Sequence, residues 1–176
     1  MSRLVTERLE LIPMSLEALE SLVAGAYDVA GNLIGVVIPK GWPYDAEAIA
    51  GLSWHLRAVQ ADTAEIPWRI RLIVLRTERR VIGSINLKGP PDDSGTVEIG
   101  WGVVEEYRGK GIATEATGAV IKWTMECAKV RRVIATIPEN NQASQGVARR
   151  VGMSSTSETK RGLPVWALMK GETVKT

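Results

Sequence analysis

Between Val103 and Ala113 the chain reads Val-Val-Glu-Glu-Tyr-Arg-Gly-Lys-Gly-Ile-Ala, and no other run narrows its folding options as much. Ahead of it, Thr96 to Val103 (TVEIGWGV) has the alternation of a strand. Behind it, Ile112, Ala116, Val120, Trp123 and Cys127 recur at helical spacing, which predicts a helix from Ile112 to Ala128. A strand therefore hands over to a helix through a turn holding two glycines and two cations. The first amides of a helix have no intrahelical acceptor, and the aligned peptide dipoles leave about half a positive charge there. Gly109 and Gly111 let the backbone approach an anion closely, while Arg108 and Lys110 add charge. A phosphate group fits such an end. The same letters also describe a solvated basic turn whose glycines only bend the chain.

Two other phosphate motifs fail on this segment. A Walker loop ending in Gly109-Lys110 needs glycine at 104 and Ser or Thr at 111, where the chain has Val104 and Gly111. A dinucleotide fingerprint begun at Gly100 meets Glu105 at its last glycine place, and one begun at Gly109 meets Thr114.

The remaining elements surround the turn with a mixed α/β order. Arg8 to Met14 alternates as a strand and ends at Ser15, an N-cap for a helix carrying Leu16, Leu19, Leu22 and Val23. Gly31 to Tyr44 is rich in glycine and proline and reads as loop. Asp45 caps a second helix through Ala61. Trp68 to Leu75 and Val81 to Leu87 flank Arg76 to Arg80 as a hairpin, and Thr96 to Val103 continues it as a meander. After the helix from Ile112 come a strand at Val133 to Ile137, a helix at Ala143 to Val151, and a hairpin of Ser155 to Lys160 with Pro164 to Lys170. The expectation is one domain over residues 1–176, a largely antiparallel sheet interrupted by long helices.

Composition removes several function classes. Lys plus Arg number 22 and Asp plus Glu 20, for a net charge of +2, so bulk charge gives no case for nucleic acid or a membrane as partner. One cysteine, Cys127, and one histidine, His55, leave no expected metal site and no disulfide framework. The opening Met1 to Leu11 has no signal-peptide stretch, which makes cytoplasm the expected location. Phenylalanine is absent, so six tryptophans carry most of the aromatic bulk, as core or cleft walls.

Arg108-Gly-Lys-Gly111-Ile-Ala113 resembles the signature of the GNAT superfamily of acetyl-coenzyme A dependent N-acetyltransferases: Arg or Gln, two residues, Gly, one residue, Gly or Ala. Thr6-Glu-Arg-Leu-Glu-Leu11, Val97-Glu-Ile-Gly-Trp101, Ala113-Thr-Glu-Ala116, and Asn141-Gln-Ala-Ser144 before Val151-Gly-Met153 are similar to the ribosomal-protein alanine acetyltransferase branch, across nearly the whole length and in order. The resemblance implies the GNAT-like fold, a mixed, mostly antiparallel sheet with helices on both faces. It implies acetyl-coenzyme A as co-substrate, its pyrophosphate on Arg108, Gly109, Lys110, Gly111, Ile112, Ala113 and Thr114, with Val103 and Asn141 as further contacts. Pantetheine would run in a V-shaped opening between the strand ending at Val103 and the strand Val133 to Ile137. Many members place a tyrosine acid four residues before the glycine matching Gly152; here that residue is Ala148, which brings forward Ser144, otherwise a helix-start hydroxyl. Met153 stands where the family usually has phenylalanine. Homodimers are common in the family.

A thioester is already activated, so direct attack by a neutral amine is the economical chemistry, with a backbone N–H near Val103 or Val104 facing the carbonyl oxygen. Cys127 as a nucleophile lacks a positioned base. Glu98 is the candidate base; its other reading is a cross-strand ion pair. Glu115 is the rival carboxylate, read as structural at the helix start. Trp42, Tyr44 and Trp101 are candidate walls of an acceptor site formed by Val36 to Tyr44 and the hairpin tip Lys160 to Val165. The acceptor class is a primary amine, a peptide or protein N-terminus or a small molecule. A non-catalytic acyl-coenzyme A sensor and a nucleotide-binding protein are the other classes.

Overall fold

The structure, a computed structural model, describes residues 3–43 and 46–174. The chain divides into two compact units, one ending at Asn86 and the other beginning at Leu87.

In the first unit, short strand β1 (Leu4–Val5) pairs with β2 (Leu9–Pro13), β2 with β3 (Ile70–Leu75) and β3 with β4 (Arg80–Leu87), all antiparallel. Every residue of β2 is buried, as are all of β3 but its last, so both faces of these central strands are covered. The buried set includes two charged residues, Glu10 in β2 and Arg71 in β3. Among the described residues three α-helices separate β2 from β3. In α1 (Leu16–Val23), Ser15 Oγ accepts from Ala18 N at 3.2 Å, the cap expected from the sequence. α1 packs on α2 (Tyr27–Ile34) and on α3 (Ala46–Ala61). A 3₁₀ turn, Thr63–Trp68, leads into β3.

The Gly31 to Tyr44 loop expected from glycine and proline content needs correction, because its first residues, through Ile34, end α2. Gly31 is a packing glycine here, not a breaker: a Cβ on it would lie 2.5 Å from Val36 O. The helix stops at Gly35, whose left-handed φ of 75° closes it. Asp45, expected to cap the following helix, lies outside the described residues.

In the second unit, β5 (Thr96–Val103) pairs parallel with β6 (Arg132–Thr136), β6 pairs antiparallel with β8 (Leu163–Met169), and β8 with β7 (Ser154–Lys160). The chain passes from β5 to β6 through α4 (Ile112–Glu126), and from β6 to β7 through α5 (Gln142–Arg150). α4 buries Ile112, Ala116 and Val120 of the stripe read from helical spacing, and Ile121 beside them, while Trp123 and Cys127 are only half-buried; the helix packs on β5, β6 and α5. Among the described residues only β5–β6 is a parallel pair of strands. The mixed α/β class with mostly antiparallel pairing is the one observed.

Candidate functional site

The parallel ladder between β5 and β6 is short: Thr96, Val97 and Glu98 face Arg132, Val133 and Ile134, and pairing then stops although β5 runs on to Val103. The last five residues of β5 therefore part from β6. On this free stretch a Cβ added at Gly100 or Gly102 would meet nothing within 4 Å. Trp101 is half-buried there.

Beyond β5, Glu105–Tyr107 forms one 3₁₀ turn and the chain swings into α4. Gly109 and Gly111 both take left-handed backbone, φ 74° and 77°, which side chains with a Cβ rarely adopt. Gly111 is the N-cap residue of α4 and supplies no side-chain cap. The first intrahelical bond near this end runs from Glu115 N to Gly111 O at 3.0 Å. The amides of Ile112, Ala113 and Thr114 thus precede it. A Cβ on Gly109 would meet nothing within 4 Å, so the space over the turn is open. Arg108 Nε donates to Val103 O at 2.9 Å, tying the turn to the end of β5. Lys110 Nζ lies 5.3 Å from the Tyr107 ring centre. Open space, helix-start amides and two exposed cations suit a pyrophosphate.

Because Arg108 already spends one N–H on the strand, Arg108→Ala should weaken acetyl-coenzyme A binding only about three- to fivefold by calorimetry, the amides remaining in place. A loss above tenfold would make the guanidinium the chief anion contact.

Asn141 Oδ1 accepts from Ser144 N at 3.0 Å and so caps α5. Ser144 is half-buried in the first turn of that helix. Ala148, at the place of the family's tyrosine, is wholly buried. Cys127 caps the end of α4, where Lys170 Nζ donates to its carbonyl oxygen at 2.8 Å. Trp42 is buried in the first unit, with 4% exposure; Tyr44 lies outside the described residues. A groove of about 700 Å³ between α5 and the β7–β8 hairpin, with Gln145, Arg149, Met153 and Trp166 among its walls, shares no residue with β5 or the glycine turn.

Glu98 makes the ion pairs of its second sequence reading. It is 7% exposed, at the last paired position of β5. Lys160 Nζ lies 2.9 Å from Oε2, Lys88 Nζ 3.3 Å from Oε1, Arg161 donates to Oε1, and Thr136 Oγ1 donates to Oε1 at 3.2 Å. Burial alone would raise its pKa, but the hydrogen bonds from Lys160 and Arg161 and the charge of Lys88 outweigh it and hold the carboxyl at about 2. A carboxylate so stabilised is a weak proton acceptor at neutral pH. As a candidate base Glu98 would have to act from within these ion pairs. Lys88 and Thr136 were not singled out from the sequence, and Lys160 and Arg161 only as part of the hairpin tip; Arg161 is 63 residues from Glu98.

The family described as Acetyltransferase (GNAT) domain matches residues 8–154. The chain belongs to the GNAT acetyltransferase family. Among curated relatives of this GNAT chain, the N-acetyltransferase YjdG of Bacillus subtilis (strain 168) is 30% identical over 81 residues, 46% of this chain and 48% of YjdG. The matched stretch thus spans about half the length of the curated relatives. Among solved GNAT folds, the ribosomal-protein-S5-alanine acetyltransferase from Vibrio fischeri superposes with a TM-score of 0.67 at 14% identity, covering 98% of both chains. RimL, a ribosomal L7/L12 alpha-N-protein acetyltransferase in complex with coenzyme A, gives 0.65 at 18% identity, covering 96% of this chain and 98% of its own. These likenesses are of fold. Among the described residues of this GNAT chain no group of three or more His, Cys, Asp or Glu could hold a metal ion, and no helix is long and apolar enough to cross a membrane.

Proposed function

We propose that the chain, as one GNAT domain, moves an acetyl group from acetyl-coenzyme A to the α-amine of a peptide or protein N-terminus. The observation that carries the coenzyme half is the turn with left-handed Gly109 and Gly111 at the start of α4, directly after the free end of β5. Arg108 to Thr114 hold the pyrophosphate, and the unpaired edge of β5 through Val103 takes the pantetheine amides. In this reading the side-chain amide of Asn141 turns to the coenzyme while its oxygen caps α5.

The acceptor half rests on chemistry. At pH 7 about one α-amine in seven is neutral, against under one in a thousand lysine amines. An enzyme whose candidate base is held at a pKa of about 2 gains most from an acceptor that sheds its own proton. The names of the S5-alanine enzyme and RimL agree with such an acceptor. In the step itself the neutral nitrogen attacks the thioester carbonyl, the C–N bond forms and the C–S bond breaks. The amine proton leaves to water and the departing thiolate is protonated, with Ser144 the nearest candidate donor by sequence pattern. Trp101 walls the opening.

The test is thiol release from acetyl-coenzyme A with a panel of peptides, lysine derivatives and small amines. Free N-terminal peptides should exceed their Nα-blocked, lysine-bearing counterparts by more than tenfold in kcat/KM. A preference for small amines would move the acceptor to that class, and coenzyme binding without turnover on any amine would make the chain a sensor.

A further inference from the structure

Three cations converge on one carboxylate where β5 and β6 part. Lys88 follows β4, while Lys160 and Arg161 belong to the tip of the β7–β8 hairpin, so two separate places in the sequence supply charge to Glu98. A carboxylate neutralises one of them. Asp92 lies near enough to Lys160 for the two charges to interact, and Arg132 is matched by Glu158 at 2.7 Å. Three positive charges thus stand against two negative ones. The Lys88, Lys160 and Arg161 side chains are 43%, 43% and 52% exposed, whereas the Glu98 side chain is 5% exposed. Solvent, and anything bound from solvent, meets the cations and not the carboxylate.

The tip is held in shape. Lys160 faces Leu163 across a two-residue loop in which Arg161 has φ 54° and Gly162 φ 76°, left-handed at both places as a type I′ hairpin turn requires. Both described contacts of the Arg161 guanidinium, to Glu98 and to Thr136, use Nη2. A guanidinium has five N–H donors in a flat fork, so its remaining edge can take a second carboxylate.

We infer that Lys88, Lys160 and Arg161, gathered on Glu98 at the split between β5 and β6, form a subsite for carboxylates of the acceptor, making an acidic N-terminal segment the preferred substrate. This rests on the acetyl-transfer reading above. Glu98 is then a positioning residue, buried so that its three partners point outward together. The same surplus repels polyamines and lysine-rich segments, and it favours the neutral form of an amine brought close to it.

Peptides identical except at positions two and three, carrying Asp-Glu, Gln-Gln or Lys-Arg, separate the alternatives in steady-state assays at low salt. The Asp-Glu peptide should exceed the Gln-Gln peptide about tenfold in kcat/KM, and the Lys-Arg peptide should fall below both. In Arg161→Gln and in Lys160→Gln the acidic-to-neutral ratio should drop toward one, and Arg161→Lys should restore part of it. The ratio should also shrink at 0.5 M salt, where screening acts within about 4 Å. Arg161→Gln and Lys160→Gln each leave Glu98 two cations, and thermal melts confirm the fold. Equal use of the three peptides, or a ratio that the variants leave intact, overturns the subsite while leaving N-terminal acetylation standing. If only small amines react, the N-terminal reading fails, and the comparison of carboxylate-bearing with neutral and cationic small amines decides the subsite by the same ratio.

Discussion

Gly111→Val is expected to weaken acetyl-coenzyme A binding more than tenfold while the protein still folds. Gly111 is the N-cap of α4 at φ 77° and ψ 0°, and a β-branched side chain in that region costs about 1–2 kcal/mol. If valine accepts the dihedral, its methyl groups stand over the amides of Ile112 and Ala113 that would face the pyrophosphate. If it does not, the turn rearranges and those amides lose their common direction. Either way the anion loses its cradle, and tenfold corresponds to about 1.4 kcal/mol. The melting temperature should fall only a few degrees, because a strain of this size is small beside the unfolding entropy of a chain this long. Calorimetric titration with acetyl-coenzyme A reads the outcome. Unchanged affinity in a folded variant would mean that this turn is a solvated bend and that the coenzyme lies elsewhere.

Glu98→Gln should cost stability in a pH-dependent way and turnover in a pH-independent way. The gap between the ordinary 4.5 and about 2 bounds the linkage at about 3 kcal/mol, and screening of the half-exposed cations brings the expected contribution to about 1–2 kcal/mol. Folding lowers this pKa, so between the two values the unfolded chain binds more protons than the folded one. The stabilisation is complete above about pH 5 and is lost as the pH falls through 2. Denaturant midpoints measured from pH 6 down to pH 2 should therefore fall more steeply for the parent than for Glu98→Gln, with the two curves converging in acid. Parallel curves would mean that the ion pairs contribute nothing in solution. Turnover should fall less than tenfold, by loosening the hairpin tip, and by the same factor at pH 7 and pH 9. A loss near 10²-fold that shrinks toward pH 9 would give Glu98 the role of base.

What could be read from the letters follows the range of the interactions involved. The turn at Arg108 to Ala113 and the stripe of α4 were legible because their causes are local: glycines where φ must be positive, a strand before, and apolar residues at helical spacing after. Ser15 was legible as a cap for the same reason. α2 was not, since Gly31 and Gly35 read as breakers; one is a close contact with Val36 O and the other a helix stop, and nothing in the spacing separates those uses. The two-residue strand β1 is too short to carry a pattern and exists through its pairing with Leu11 and Glu10. The partners of Glu98 come from positions 88, 136, 160 and 161, and only the fold brings them together. Alternation placed Glu98 on its own side of β5, between Val97 and Ile99, but could not say what waited there.

The hairpin tip carries a cost that bears on how this chain could be improved or degraded. Arginine in left-handed backbone is strained, and glycine or asparagine would occupy position 161 with less resistance. A search for heat-resistant variants would be drawn to that exchange. The sturdier protein would have given up the guanidinium that reaches Glu98, so resilience and substrate choice pull against each other at a single residue.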